Sequence, residues 1–197
     1  MTLRLVLASQ SRARAALLTG AGVAFETASP AVDEAEIKDV LLAEGRGPKE
    51  IAVALAERKA LSVQIPGALV IGADSTVDLG GRLFDKPPTI PAAADQLRAL
   101  RGREHRLNSA AALARDGEIV WRHVDSAVLT VREFSEAFLQ AYLTREGEAV
   151  LWSVGAYRLE GEGAQLFERI KGDYFTVLGL PLLALLEALR REGVLAA

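Results

Sequence analysis

The spacing of hydrophobic positions changes period several times along the chain. Leu3-Arg4-Leu5-Val6-Leu7 reads as a strand, buried beyond Arg4, and Ser9-Gln10-Ser11 is a polar break. Arg12 to Ala21 is rich in Ala and Leu, with Ser11 placed to cap it and Gly22 to end it, which predicts a helix. Phe25 to Ala28 predicts a short strand, and Ser29 to Asp39 a polar loop. Pro48 suits a first helical position and opens a helix over Lys49 to Val63, where Ile51, Leu55, Lys59 and Val63 share one four-spaced row.

Ala68 to Val77 is a strong apolar run interrupted by Asp74, which predicts a strand that Gly80-Gly81 turns back into Arg82 to Phe84. Pro87-Pro88 block any continuation. Pro91 to Leu100 predicts a helix closed by Gly102. Leu107 to Arg115 and Glu118 to Val131 predict a hairpin across Asp116-Gly117, a strong turn signal. Ser135 caps a helix running to about Arg145, short strands surround Tyr157 and Ile170, and Pro181 opens a last helix to Arg191. The order is mixed, which argues an α/β fold with a mixed sheet flanked by helices rather than strict βαβ repetition. The expectation is a single domain over residues 1–197, with residues 103–131 set off as a smaller lobe.

Composition narrows the class. Half of the 197 residues are hydrophobic and a quarter are charged, the balance of a soluble globular protein. The net charge is −3 with no basic tract, which argues against a long nucleic-acid partner while leaving room for a small anion. There is no cysteine, which excludes disulfides, thiolate metal sites and a Cys nucleophile. The most apolar stretch, Val177 to Leu189, is broken by Pro181 and Glu187 and is too short to span a bilayer. The N-terminal apolar run is too short for a signal peptide, so the expected location is cytoplasmic, with no membrane partner.

The candidate chemistry starts at the first strand-loop-helix. Free N–H groups at a helix N-terminus favour an anion; Ser9 and Ser11 add hydroxyls, and Arg12 and Arg14 add charge. The same residues also read as an ordinary capped helix with solvated arginines. Asp74 inside an apolar strand is costly unless paired, so it either holds Mg²⁺ or activates a water, or it caps a turn. Glu34 is either a second carboxylate for a cation or part of a solvated acidic loop. Lys59 either snorkels or points at an anion. Lys86 stands on a stiff loop. His105 and His123 lie in no triad pattern and read as structural, as do Asp173-Tyr174 and Gly179-Leu180-Pro181.

Taken in order, LASQSRARAALL, VDE, AERKA, IGADSTV, FDKP, LRGREH, GAYRLEG and GDYFTVLGLPLLAL resemble the Maf family of nucleoside-triphosphate pyrophosphatases nearly end to end. The resemblance implies an elongated α/β fold of two lobes with a central cleft, like that of inosine-triphosphate pyrophosphatases. It implies hydrolysis of a nucleoside triphosphate to a monophosphate and pyrophosphate, helped by a divalent cation, Mg²⁺ or Mn²⁺, and a homodimer. Asp74 falls on the family's proton acceptor. Ser9 and Arg14 fall on its N-terminal Ser and second Arg, and Glu34, Lys59 and Lys86 on its acid, helix lysine and Lys-Pro lysine. In the mechanism this implies, Ser9, Arg14, Lys59 and Lys86 grip the phosphates, and Glu34 with Asp74 holds the metal.

The departures bear on the base. Ala13 replaces an Arg, Ser75 replaces the Thr of pyrimidine-preferring members, and Glu160 replaces their Gln. A carboxylate only accepts hydrogen bonds, so Glu160 suits a donating or positively charged base. The branch that looks closest is the 7-methyl-GTP type, although Ser75 and Ser153 depart from it. The rival class is a nucleotide-binding regulator of septum formation without turnover; a third is a phosphatase releasing orthophosphate, although the D-x-D signature such enzymes often show is lacking.

Overall fold

A computed structural model describes residues 3–196. Strand β1 (Leu5–Ala8) lies inside the sheet between β2 (Glu26–Ala28) and β3 (Leu69–Leu79), parallel to both. Beyond β3 the sheet continues antiparallel through β5 (Glu104–Arg115), β6 (Glu118–Val131) and β7 (Phe167–Lys171), while β4 (Arg82–Phe84) pairs with the end of β3. The result is a mixed seven-stranded sheet flanked by helices, as the pattern of elements predicts.

Helix α1 (Arg12–Gly20) connects β1 to β2. Helices α2 (Glu34–Ala43) and α3 (Pro48–Ser62) connect β2 to β3, which lies on the other side of β1. The crossover connections on the two sides of β1 therefore run in opposite directions, which makes its carboxyl end a topological switch point, where α/β sheets take ligands. Helices α4 (Ile90–Leu100), α5 (Glu136–Glu146), the short α6 (Tyr174–Val177) and α7 (Leu182–Arg191) complete the layers.

Helix α2 corrects one expectation. Residues 29–39 are not all polar loop: Asp33 caps the helix by accepting from the Ala35 and Glu36 amides, and Glu34 and Glu36 complement its N-terminal dipole. The helix buries none of its residues, so its apolar periodicity is faint and its cap is the better signal.

Helix α3 sits unusually close to the sheet because both surfaces are small. Ala52, Ala56 and Ala60 meet Ala110, Ala112 and Ala114 of β5, and Gly72 lies beneath them. The hairpin turn expected at Asp116-Gly117 is present, with both residues at positive φ (50° and 86°). Residues 103–131 are continuous with the rest of the sheet: β5 pairs with β3 from Leu69↔Arg115 to Asp78↔Arg106.

Two cores flank a polar seam. Leu69, Ile71, Ala73 and Leu113 join Leu18, Leu180, Leu185 and Leu189 in one; Val77, Leu107, Leu129, Leu97, Leu139 and Tyr142 build the other. Between them a polar band crosses three strands, with Ser75 opposite Ser109 opposite Asp125, and Thr76 opposite Asn108 opposite Ser126. Among the described residues no helix is long and apolar enough to cross a membrane.

Candidate active site

Strand β1 ends at Ala8 opposite Gly72, and β3 runs on. Asp74, two residues further, thus reaches past the end of its parallel neighbour. Strand alternation puts Asp74 on the α3 face and Ser75 on the opposite face.

On the α3 face, Lys59 Nζ donates to Asp74 Oδ1 at 2.5 Å and lies 2.7 Å from Glu34 Oε1. The Lys59 and Asp74 side chains are both only 7% exposed, so neither charge could stay there unpaired. Lys59 is carried by the Ile51–Leu55 row, whose burial aims it at the strand. It therefore points inward rather than snorkelling. Among the described residues no hydrogen bond reaches Asp74 Oδ2, the oxygen left open to a water. Burial alone would raise the Glu34 pKa, but attraction and hydrogen bonding from Lys59, with smaller contributions from Lys38 and Lys86, hold it below the ordinary carboxylate value.

On the opposite face, Arg14 is buried at the start of α1. It donates from Nε to Gly179 O (2.8 Å), from Nη1 to Ser9 Oγ (3.3 Å) and from Nη2 to Ser75 Oγ (3.1 Å). Loss of solvation lowers its pKa, opposed by the charges of Asp74 and Glu34, so both carboxylates lie within its field. Ser9 Oγ also accepts from the Ser11 amide at 3.2 Å, and Ser11 Oγ caps α1 by accepting from the Arg14 amide at 3.4 Å. Lys86 is exposed at the rim. Loss of solvation and repulsion from Arg14 nevertheless lower its pKa, with Glu34 and Asp74 pulling it up.

The structure thus gathers Ser9, Ser11, Arg14, Glu34, Lys59, Asp74 and Ser75 into one locus, with Lys86 at its edge. Ala13 lies beside Arg14 on α1, half-buried. Glu160 accepts from Arg158 Nε at 3.2 Å in a cluster with Glu146, and no hydrogen bond or ion pair among the described residues ties it to Asp74.

Two residues of the locus escaped sequence reading. Lys38 lies one helical turn after Glu34, pairs with Asp85 at 2.6 Å, and feels Asp74 and Glu34. Recognition of the Asp33 cap would have placed it. Ser109 is a polar residue inside the alanine-rich strand β5, fully buried, and its hydroxyl meets Ser75 Oγ at 2.9 Å.

The donor set suits a hard divalent cation. Two carboxylates converge on a single point, marked by Lys59 Nζ, and oxygen is the ligand such ions take. No group of three His, Cys, Asp or Glu residues that could hold a metal occurs among the described residues, so phosphate oxygens would have to complete the coordination.

Parallel strands parting at an acidic residue, with buried arginine and lysine beside it, define an α/β protein with paired charges at the switch point of its sheet. The chain belongs to the Maf-like protein family, which matches residues 4–192. It is 58% identical to a nucleoside triphosphate pyrophosphatase of Caulobacter vibrioides, over 96% of each chain. It is 53% identical to a 7-methyl-GTP pyrophosphatase of Rhizobium meliloti, over 98% of each, and 53% identical to a nucleoside triphosphate pyrophosphatase of Paramagnetospirillum magneticum, over 96% of this chain and 99% of that one. A HAM1 protein from Coxiella burnetii superposes with a TM-score of 0.42 at 20% identity, over 66% of this chain and 73% of that one, a likeness too loose to argue from.

Proposed function

We propose that this protein is a nucleoside-triphosphate pyrophosphatase, cleaving its substrate between the α- and β-phosphates. The observation that carries the reading is Asp74: a buried carboxylate beyond the end of β1, held through Oδ1 by Lys59, with no hydrogen bond to Oδ2 among the described residues. The names of its relatives point the same way.

In this reading the triphosphate lies beyond the end of β1. Arg14 has five N–H groups, three of them engaged by Gly179, Ser9 and Ser75, which leaves two for phosphate oxygens. Lys59 and Lys86 add positive charge. Asp74 Oδ2 takes a proton from a water whose oxygen bonds to the α-phosphorus; the bond from that phosphorus to the bridging oxygen breaks, and pyrophosphate leaves. Glu34 and Asp74 would hold a Mg²⁺ or Mn²⁺ together with the phosphates; when bound, it neutralises charge on them. Base catalysis contributes ~10²–10⁴-fold, and positioning and electrostatics the rest.

A nucleotide carrying 7-methylguanine is the substrate suggested by the Rhizobium relative, and Glu160, which engages Arg158 through Oε1, keeps Oε2 to accept from such a base. A homodimer in the cytoplasm, with no nucleic-acid or membrane partner, completes the reading. Nothing at the site favours a regulator without turnover, since the Asp74–Lys59–Glu34 set is intact.

The test is product analysis with 7-methyl-GTP, UTP and dTTP under Mg²⁺ and Mn²⁺, alongside Asp74→Asn. Pyrophosphate release that falls ~10²-fold or more in the mutant is expected. Orthophosphate as first product, or near-wild-type turnover of folded Asp74→Asn, would refute it.

A further inference from the structure

We propose that Ser75 and Ser109 are positioning residues for Arg14, and that the corner spanning residues 172–179 is the frame against which that arginine is set. The inference rests on Arg14 being the phosphate grip, and it gives Ser75 a task other than reading the base.

Hydrogen counting fixes the direction of the chain of hydrogen bonds. Ser109 Oγ lies 2.8 Å from Thr176 O, which can only accept, so the one Ser109 hydrogen is committed there. At 2.9 Å from Ser75, Ser109 must then accept, and Ser75 must donate. The Ser75 hydrogen being spent, its oxygen accepts from Arg14 Nη2 at 3.1 Å, and a guanidinium can only donate. The relay runs one way: Arg14, Ser75, Ser109, Thr176 carbonyl.

The same corner holds Arg14 a second time, through Gly179 O and Nε at 2.8 Å. Asp173 stiffens it by accepting from the Thr176 amide at 3.1 Å. Gly179 is required there: its φ is +96°, and a Cβ would sit 3.3 Å from Ser75 Oγ and 3.5 Å from Arg14 Nε. Both hydroxyls lie on the face of the sheet away from Asp74, with Ser109 fully buried, so neither lies on the Asp74 side of the strand. Two anchors on one corner fix the plane of the guanidinium, and a planar fork held in place loses less freedom when it grips phosphate.

The experiment is titration of the full-length protein with inorganic pyrophosphate, a probe with no base and no need of turnover, paired with kinetics on 7-methyl-GTP, UTP and dTTP. Ser75→Ala should weaken pyrophosphate binding roughly tenfold, about one lost hydrogen bond to a charged group. Ser75→Thr, which keeps the hydroxyl, should restore it. Ser109→Ala should weaken binding less, and should add nothing in a Ser75→Ala background, because it acts through Ser75. KM should rise by a common factor for all three nucleotides. Additive losses, a changed ranking of the bases, or unchanged pyrophosphate affinity would each overturn the proposal. Failure of turnover in the wild type with pyrophosphate still bound would sink the catalytic reading and leave this one standing.

Discussion

Lys59 Nζ lies 2.5 Å from Asp74 Oδ1, and both side chains are largely buried. Desolvation of two charges is repaid only while each has the other. Lys59→Met should therefore destabilise the fold by about 3 kcal/mol or more at neutral pH, because it strands a buried carboxylate. Lys59→Met with Asp74→Asn should recover most of that loss while remaining inactive. Urea unfolding of both variants checks this, and equal stability of the single and double mutants would contradict it.

Gly72 of β3 packs directly against the backbone of α3. A Cβ there would lie 2.1 Å from Ala56 O and 2.4 Å from Ala60 N, both backbone atoms that flank Lys59 in α3. Gly72→Ala should displace α3 at a cost of about 3 kcal/mol. Because the helix carries Lys59, turnover should fall along with the melting temperature. A variant that melts as the wild type does would show that the helix was not the constraint.

His105 is buried against Tyr157, its Nε2 lying 3.0 Å from the phenol oxygen while Nδ1 has no hydrogen-bond partner among the described residues. Burial pushes its pKa down to about 4 from an ordinary value of 6.5. The unfolded chain thus binds the extra proton at higher pH than the folded one, so stability falls as pH drops from about 6.5 toward 4, by up to about 3 kcal/mol. Glu34, whose pKa is lowered, loses its own contribution below the ordinary carboxylate range. Replacement of His105 by Gln should flatten the stability profile between pH 6.5 and 4, measured by denaturant unfolding. An unchanged slope would assign the acid sensitivity to the carboxylates alone.

Much of this protein was legible in the chain. The Ser11 cap, the Pro48 helix start, the Gly80-Gly81 and Asp116-Gly117 turns and the apolar run of β3 are local signals, and local chemistry acts within a few residues. Asp74 stood out for the same reason: a carboxylate in an apolar strand needs a partner whatever the fold. Helix α2 was missed because it buries no side chain, which erases the periodicity that marks a helix.

By itself the sequence determined the elements and the residues that had to be explained. Tertiary structure decided which of them meet. Lys59 and Asp74 stand fifteen positions apart and join only because small residues let α3 settle on β3. Arg14 and Gly179 are 165 positions apart. Pairing across such distances is set by strand register and by which face a strand turns to which helix, a global outcome of packing that no short window of sequence contains.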